Sequence, residues 1–324
     1  MYEAPKIFFF FVGAIVFILF LITEILINHV VIKFDLQDRI FLIWLLILLI
    51  ASFLGVHPLD SIIGGSYRHQ GVIFFVGLWL LYKSLQQFTK EQRKYFGKGI
   101  AIAVILESLI VIAQYLFNQT YFGRTLGTLG EANAVSGFLV IGIFLVYENF
   151  PRVWLFLTLT AILVTQSRSG ILSLAPNLLR LKKIFWLPLF VISIVIISFL
   201  TFDKGKSYFE NRPMLWRQAY LQIIKKPILG YGAESGEYVY EKAFRENNTP
   251  LEHFVIDRAH NLFLDILIWS GIPGLIMFVW WLYTTFINLD SLNKKLAFSS
   301  FLIFSMFQPL GVTHWVLLMF VVGS

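Results

Sequence analysis

The sequence predicts an all-α protein, a polytopic transmembrane helical bundle of about ten spans, each needing ~20 apolar residues. Three observations carry this reading. Apolar residues make up 58% of the 324-residue chain and charged residues 14%, where a soluble domain carries about 25% charged residues. The charges cluster between long apolar runs, and the mean hydropathy is +0.75. The runs are continuous and do not alternate apolar with polar, which disfavours a β-barrel.

The runs are Ile7–Ile27, Ile40–Leu54, Val72–Tyr82, Ile100–Phe117, Val135–Tyr147, Val153–Val164, Ile184–Phe202, Leu262–Ile287 and Leu296–Val322. Ile7–Ile27 is too long for a signal-peptide core and no small-residue cleavage site follows it, so it reads as a retained span. Ile171–Leu179 is shorter and continues a hairpin that turns at Ser167–Gly170. No soluble domain boundary is visible, and residues 1–324 read as a single membrane-embedded domain. The chain has no cysteine and a net charge of +7. Its basic residues punctuate the spans and form no separate patch, which argues against a nucleic-acid partner.

Short loops rich in Lys and Arg stay in the cytoplasm. Lys83, Lys90, Arg93, Lys94 and Lys98 crowd one such loop; Arg180, Lys182 and Lys183 crowd another, and Lys294 and Lys295 a third. The long segment 203–259 then falls on the extracytoplasmic side. Within it, Leu215, Trp216, Ala219, Tyr220, Ile223 and Ile224 recur at helical spacing, with Arg212, Arg217 and Gln218 off the stripe. This predicts an amphipathic helix over Tyr208–Lys226, lying at the membrane surface. Pro227 ends it, Gly230-Tyr231-Gly232 makes a tight turn, and Glu234–Glu246 forms a second short helix before Asn247-Asn248-Thr249-Pro250.

The opposite short loops carry mostly single arginines. Arg68, Arg124 and Arg168 lie in Gly/Ser-rich turns, and Arg212 opens Arg-Pro-Met-Leu-Trp216. Arginine offers a fixed fork of donors that suits phosphate oxygens. Each alone also fits a helix cap or a headgroup contact; four on one face suit a pyrophosphate-linked lipid. His260 precedes a long span, beside Asn261 and three residues after Asp257, where an imidazole could deprotonate a sugar hydroxyl near neutral pH. A helix-start histidine bonded to backbone is the alternative. Glu24, Glu107 and Asp265 fall inside apolar runs and are expected to face the bundle interior. No Walker loop, His-Glu-x-x-His pair, Asp-x-Asp or Cys/His metal spacing occurs, so no metal or other cofactor is expected.

Taken in order, Gly65–Gly71, Arg124 to Asn133, Ser167-Arg168, Arg212-x3-Trp216, Pro227-Ile-Leu-Gly-Tyr-Gly232, His260-Asn-Leu-Phe-Leu264 and Gly271-Ile-Pro-Gly-Leu275 resemble the signature of the O-antigen ligase and polymerase superfamily. One departure is Trp269-Ser270 before Gly271, where the family often has an acidic residue. The resemblance implies a metal-independent glycosyltransferase of the cell envelope. It would use a polyprenyl-pyrophosphate-linked glycan at the outer face of a bacterial cytoplasmic (inner) membrane. The acceptor would be a lipopolysaccharide core or other lipid, a second glycan, or a protein. His260 and Arg212 would be catalytic, with His260 as acceptor base. Arg68, Arg124, Arg168, Arg217 and Asn261 would bind the pyrophosphate or glycan. A polymerase of the same superfamily and a non-enzymatic lipid-linked glycan flippase are the alternatives.

Overall fold

The computed structural model describes residues 3–65, 67–121, 123–178, 212–246 and 256–324. The expected span Ile184–Phe202, the basic cluster Arg180–Lys183 and the break at Asn247–Pro250 lie outside them. The described residues form only helices and turns, apart from one isolated bridge between Tyr121 and Arg124. Five helices are long and apolar enough to cross a membrane: α1 (Glu3–Leu26), α2 (Leu36–Phe53), α5 (Lys90–Leu116), α6 (Ala132–Asn149) and α12 (Leu262–Asn288). Shorter apolar helices are α4 (Val72–Gln87), α7 (Arg152–Val164) and α14 (Val312–Gly323). The remaining helices are α3 (Pro58–Ile63), α8 (Arg168–Ser173), α9 (Ala175–Leu178), α10 (Arg212–Ile223), α11 (Gly236–Glu246) and α13 (Leu292–Ser305). The polytopic helical fold predicted from composition is therefore observed.

The described helices gather into two compact units, one of α1–α4 with α10–α12 and one of α5–α9 with α13 and α14. In the first, α2 packs along α12 and α1 along α4. Trp44, fully buried, is the aromatic centre; its ring lies 5.2 Å from Phe75 and 5.0 Å from Phe278. At the N-terminal end of α2, Lys83 Nζ donates to Asp38 Oδ2 at 2.7 Å and to the Lys33 carbonyl at 2.9 Å. Lys83 belongs to no loop, contrary to its sequence reading. It is 2% exposed and its charge is matched by Asp38, at 0%.

In the second unit α6 is central, with α5, α7, α8, α13 and α14 around it. Gly142 lets α5 approach closely, since a Cβ there would stand 2.4 Å from Val104 Cγ2. The expected run Leu296–Val322 is two helices, α13 and α14, separated by Met306–Gly311. Pro309 explains the break, because it lacks the N–H that would continue the helix.

The run Leu262–Ile287 is also broken. Within α12, Gly271 has φ 66° and ψ −167°, a conformation that only glycine adopts readily. A break in an apolar helix leaves carbonyls that lipid cannot hydrate. The strap Pro227–Gly232 satisfies them. Tyr231 N donates to the Ile268 carbonyl at 2.7 Å and Gly232 N to that of Trp269 at 3.0 Å, while Ile272 N donates to the Pro227 carbonyl at 2.8 Å. Two of the ordered motifs are thus the two halves of one backbone contact.

The amphipathic helix is present as α10, but its buried face differs from the expected stripe. Gln218 and Gln222 are inside, and Tyr220 and Ile224 are 60% and 54% exposed. Gln222 has polar partners in place, since it donates to Glu246 Oε2 at 2.9 Å and its carbonyl accepts from Tyr231 Oη at 3.1 Å.

Candidate functional site

The segment 256–261 runs into the N-terminus of α12 and is pinned almost residue by residue. Asp257 accepts from Arg68, Nε to Oδ2 and Nη2 to Oδ1, the second at 3.4 Å. Arg258 is buried at 3%; its Nη2 donates to Glu234 Oε1 and, at 3.3 Å, to Gln70 Oε1. Its guanidinium also lies 4.2 Å from the centre of the Trp269 ring. Ala259 N donates to Asp265 Oδ1 at 2.7 Å, and the Ala259 carbonyl accepts from Trp216 Nε1 at 3.0 Å. Asn261 Oδ1 accepts from the amides of Phe263 and Leu264 at 3.0 and 3.2 Å and so caps α12. His260 sits amid these contacts, half-buried, with a left-handed φ of 54°.

The electrostatics follow from that packing. Burial works to raise the Asp257 carboxyl, but the charges of Arg68, Arg258 and His260 outweigh it and hold the group below the usual carboxylate range. Tyr240, on α11, is enclosed. Burial first, then Asp265 and Asp257, push its hydroxyl well above the ordinary phenol range. Its Oη has no hydrogen-bond partner among the described residues.

Each residue singled out in the sequence can now be located. Arg68, in the turn between α3 and α4, is paired with Asp257. Arg212 opens α10; Trp216, one turn later on the same face, reaches the carbonyl beside His260, so the first turn of α10 lies next to the His260 turn. Arg217 is exposed on α10, and Asn261 spends its carbonyl oxygen on the cap.

Arg124 and Arg168 belong to the second unit. Arg124 Nη2 donates to Asn133 Oδ1 at 2.6 Å and its Nε to the Thr165 carbonyl at 3.3 Å. Ser167 Oγ donates to the same Asn133 oxygen at 2.9 Å, and it also accepts from Gly170 N at 3.2 Å as the cap of α8. Asn133 therefore ties the two arginine turns together, with Arg168 exposed at the start of α8. The intramembrane Glu107 accepts from Thr128 N and Oγ1 at 2.8 and 2.6 Å and anchors the end of the Arg124 loop. This is the interior pairing expected of an acid inside an apolar run.

Sequence reading passed over Arg258, Glu234 and Gln70. Arg258 was visible as a charge four residues before the apolar run that opens at Leu262, but its partners lie 24 and 188 residues away.

Residues 153–279 match the family profile described as O-Antigen ligase. That span takes in α10, the strap, the His260 turn and the break in α12, and the recognition drawn from the ordered motifs is borne out. The chain is similar to a ComP-specific O-oligosaccharyltransferase of Acinetobacter baylyi, 27% identical over 209 residues, 53% of this chain and 37% of that protein. It is also similar to a Rickettsia conorii protein provisionally named a polysaccharide ligase, 30% identical over 101 residues, 29% of this chain and 25% of that protein. The chain thus spans well under half the length of either relative.

Proposed function

From the O-antigen ligase match over residues 153–279, we propose that this chain is a membrane glycosyltransferase. It passes a glycan from a polyprenyl-pyrophosphate carrier to an acceptor hydroxyl, at the outer face of a bacterial cytoplasmic membrane. The observation that carries the chemistry is the pinned segment 256–261, which holds His260 in a left-handed turn beside the first turn of α10.

In this reading His260 takes the proton of the acceptor hydroxyl while its oxygen attacks the anomeric carbon. The bond from that carbon to the pyrophosphate oxygen breaks, the polyprenyl pyrophosphate leaves with the electron pair, and the carbon inverts. Negative charge grows on the leaving oxygens. A fixed guanidinium stabilises it strongly in a partly dehydrated site, and Arg212 is the group assigned there. Arg68, matched by Asp257, shapes the turn. The Arg124 and Arg168 turns, tied by Asn133, form an anion-binding element of the second unit.

Purified protein in nanodiscs, given a lipid-linked glycan and an acceptor, is expected to release polyprenyl pyrophosphate in step with glycan transfer. Movement of the donor across the bilayer without release would replace the enzyme by a carrier. The outward orientation has its own test. The chain lacks cysteine, and Glu237 and Glu241 are exposed on α11. Cysteines placed there should react with an impermeant thiol reagent in intact spheroplasts, and one at Lys94 only after lysis. The reverse pattern would invert the topology.

A further inference from the structure

We infer that Arg258 is a positioning residue for His260: paired with Glu234, bonded to Gln70 and stacked on Trp269, it fixes the turn that carries the imidazole. The inference rests on the role of His260 proposed above.

Arg258 and Glu234 are 3% and 5% exposed. A buried ion pair is weak as a source of stability, because apolar residues of similar volume often do as well. Here the pair also leaves Arg258 Nη1 enclosed with no hydrogen-bond partner among the described residues. What the arrangement supplies is a fixed geometry. Three chain segments meet at the one guanidinium: the residues just before α4 through Gln70, those just after the strap through Glu234, and the segment 256–261 itself. Among the described residues, each carries one non-glycine residue in left-handed backbone, His69 at φ 56°, Glu234 at 57° and His260 at 54°. Such conformations persist only where the surroundings determine them. The Trp269 ring adds a fixed reference, since it lies two residues before the break at Gly271. Only a planar cation can stack on a ring and bond two acceptors from one edge.

A purely structural role and a positioning role part company in a neutral double variant. Arg258→Met with Glu234→Gln removes both charges and leaves neither one buried alone. The expected result is a melting temperature near that of the wild type, donor affinity within about threefold, and kcat lower by ~10²-fold, the cost of a misplacement on the order of 1 Å. Return of kcat to the wild-type value together with the melting temperature would reduce Arg258 to a stability element and overturn the inference. If the double variant does not fold, Arg258→Lys serves, because it keeps the pair but not the stack. Its kcat should fall ~10-fold at unchanged melting temperature, and wild-type kcat there overturns the inference equally.

One readout needs no reaction. Hydrogen exchange at the amides of 259–264 should speed up about tenfold or more in Arg258→Lys, as the turn opens locally. Unchanged exchange would show that Arg258 does not hold the turn. If the wild type releases no polyprenyl pyrophosphate, the proposed function fails, whereas the exchange result still reports on the turn.

Discussion

His260→Ala is expected to lower glycan transfer by about 10²–10⁴-fold, the usual range for a general acid–base group, while donor binding survives. The substitution removes an imidazole without touching Arg212, so the charge offered to the pyrophosphate stays. The contacts that pin the turn also stay, because Asp257, Arg258, Ala259 and Asn261 keep their partners. Arg212→Lys should behave differently. Lysine keeps the charge but loses the planar fork, so donor affinity and turnover should both fall. Donor affinity and transfer would be measured on each variant in nanodiscs, after confirming that both fold. Transfer at the wild-type rate in His260→Ala would remove the base assignment. Wild-type binding and transfer in Arg212→Lys would show that the fork is not used.

Gly271→Ala should act on the fold itself. A Cβ there would stand 2.3 Å from the Ile228 carbonyl oxygen and 2.6 Å from that of Pro227. The strap cannot retreat without losing the bonds from Tyr231 and Gly232 to α12. Backbone strain of ~1–3 kcal/mol adds to ~1–3 kcal/mol of overpacking. The sum is a large part of a whole-domain stability of ~5–15 kcal/mol. Yield of monodisperse protein and its melting temperature are expected to drop sharply. Gly13→Ala is the control, since a Cβ at that position meets nothing within 4 Å. A wild-type melting temperature in Gly271→Ala would show that the strap is not sealed against the break.

These contacts explain what the sequence could and could not disclose. Most spans were legible because a continuous apolar run long enough to cross a bilayer has few other uses. Residues flanking the break in α12 are as apolar on one side as on the other, so hydropathy passed straight over it; its signal was Gly271 together with a strap 40 residues earlier. The split between α13 and α14 was written in Pro309 and Gly311 and was masked by the length of the run. On α10 the apolar count favoured Tyr220 and Ile224 as the inner face, but position was decided by α11 and the strap, which offer polar partners to Gln222. Lys83 looked like any basic residue next to a loop, and only its pairing with Asp38 removes it from that class. The arginine turns and His260 were readable because single polar residues in short turns between spans stand out. Arg258 did not, since its importance lies in three segments that only tertiary structure brings together.

The break at Gly271 also fixes a depth. Residues 272–288 form a continuous helix of about 25 Å at 1.5 Å per residue, close to the ~30 Å thickness of the hydrocarbon layer. The second half of α12 can therefore cross most of that layer alone. The first half, Leu262–Ser270, is only about 13 Å long and is left to reach into the headgroup zone. In the orientation proposed above, His260 would then stand near the level where lipid phosphates meet water. In the proposed reaction a hydrated sugar would be handled there without ever dissolving in the oil, while an isoprenoid tail would stay in it.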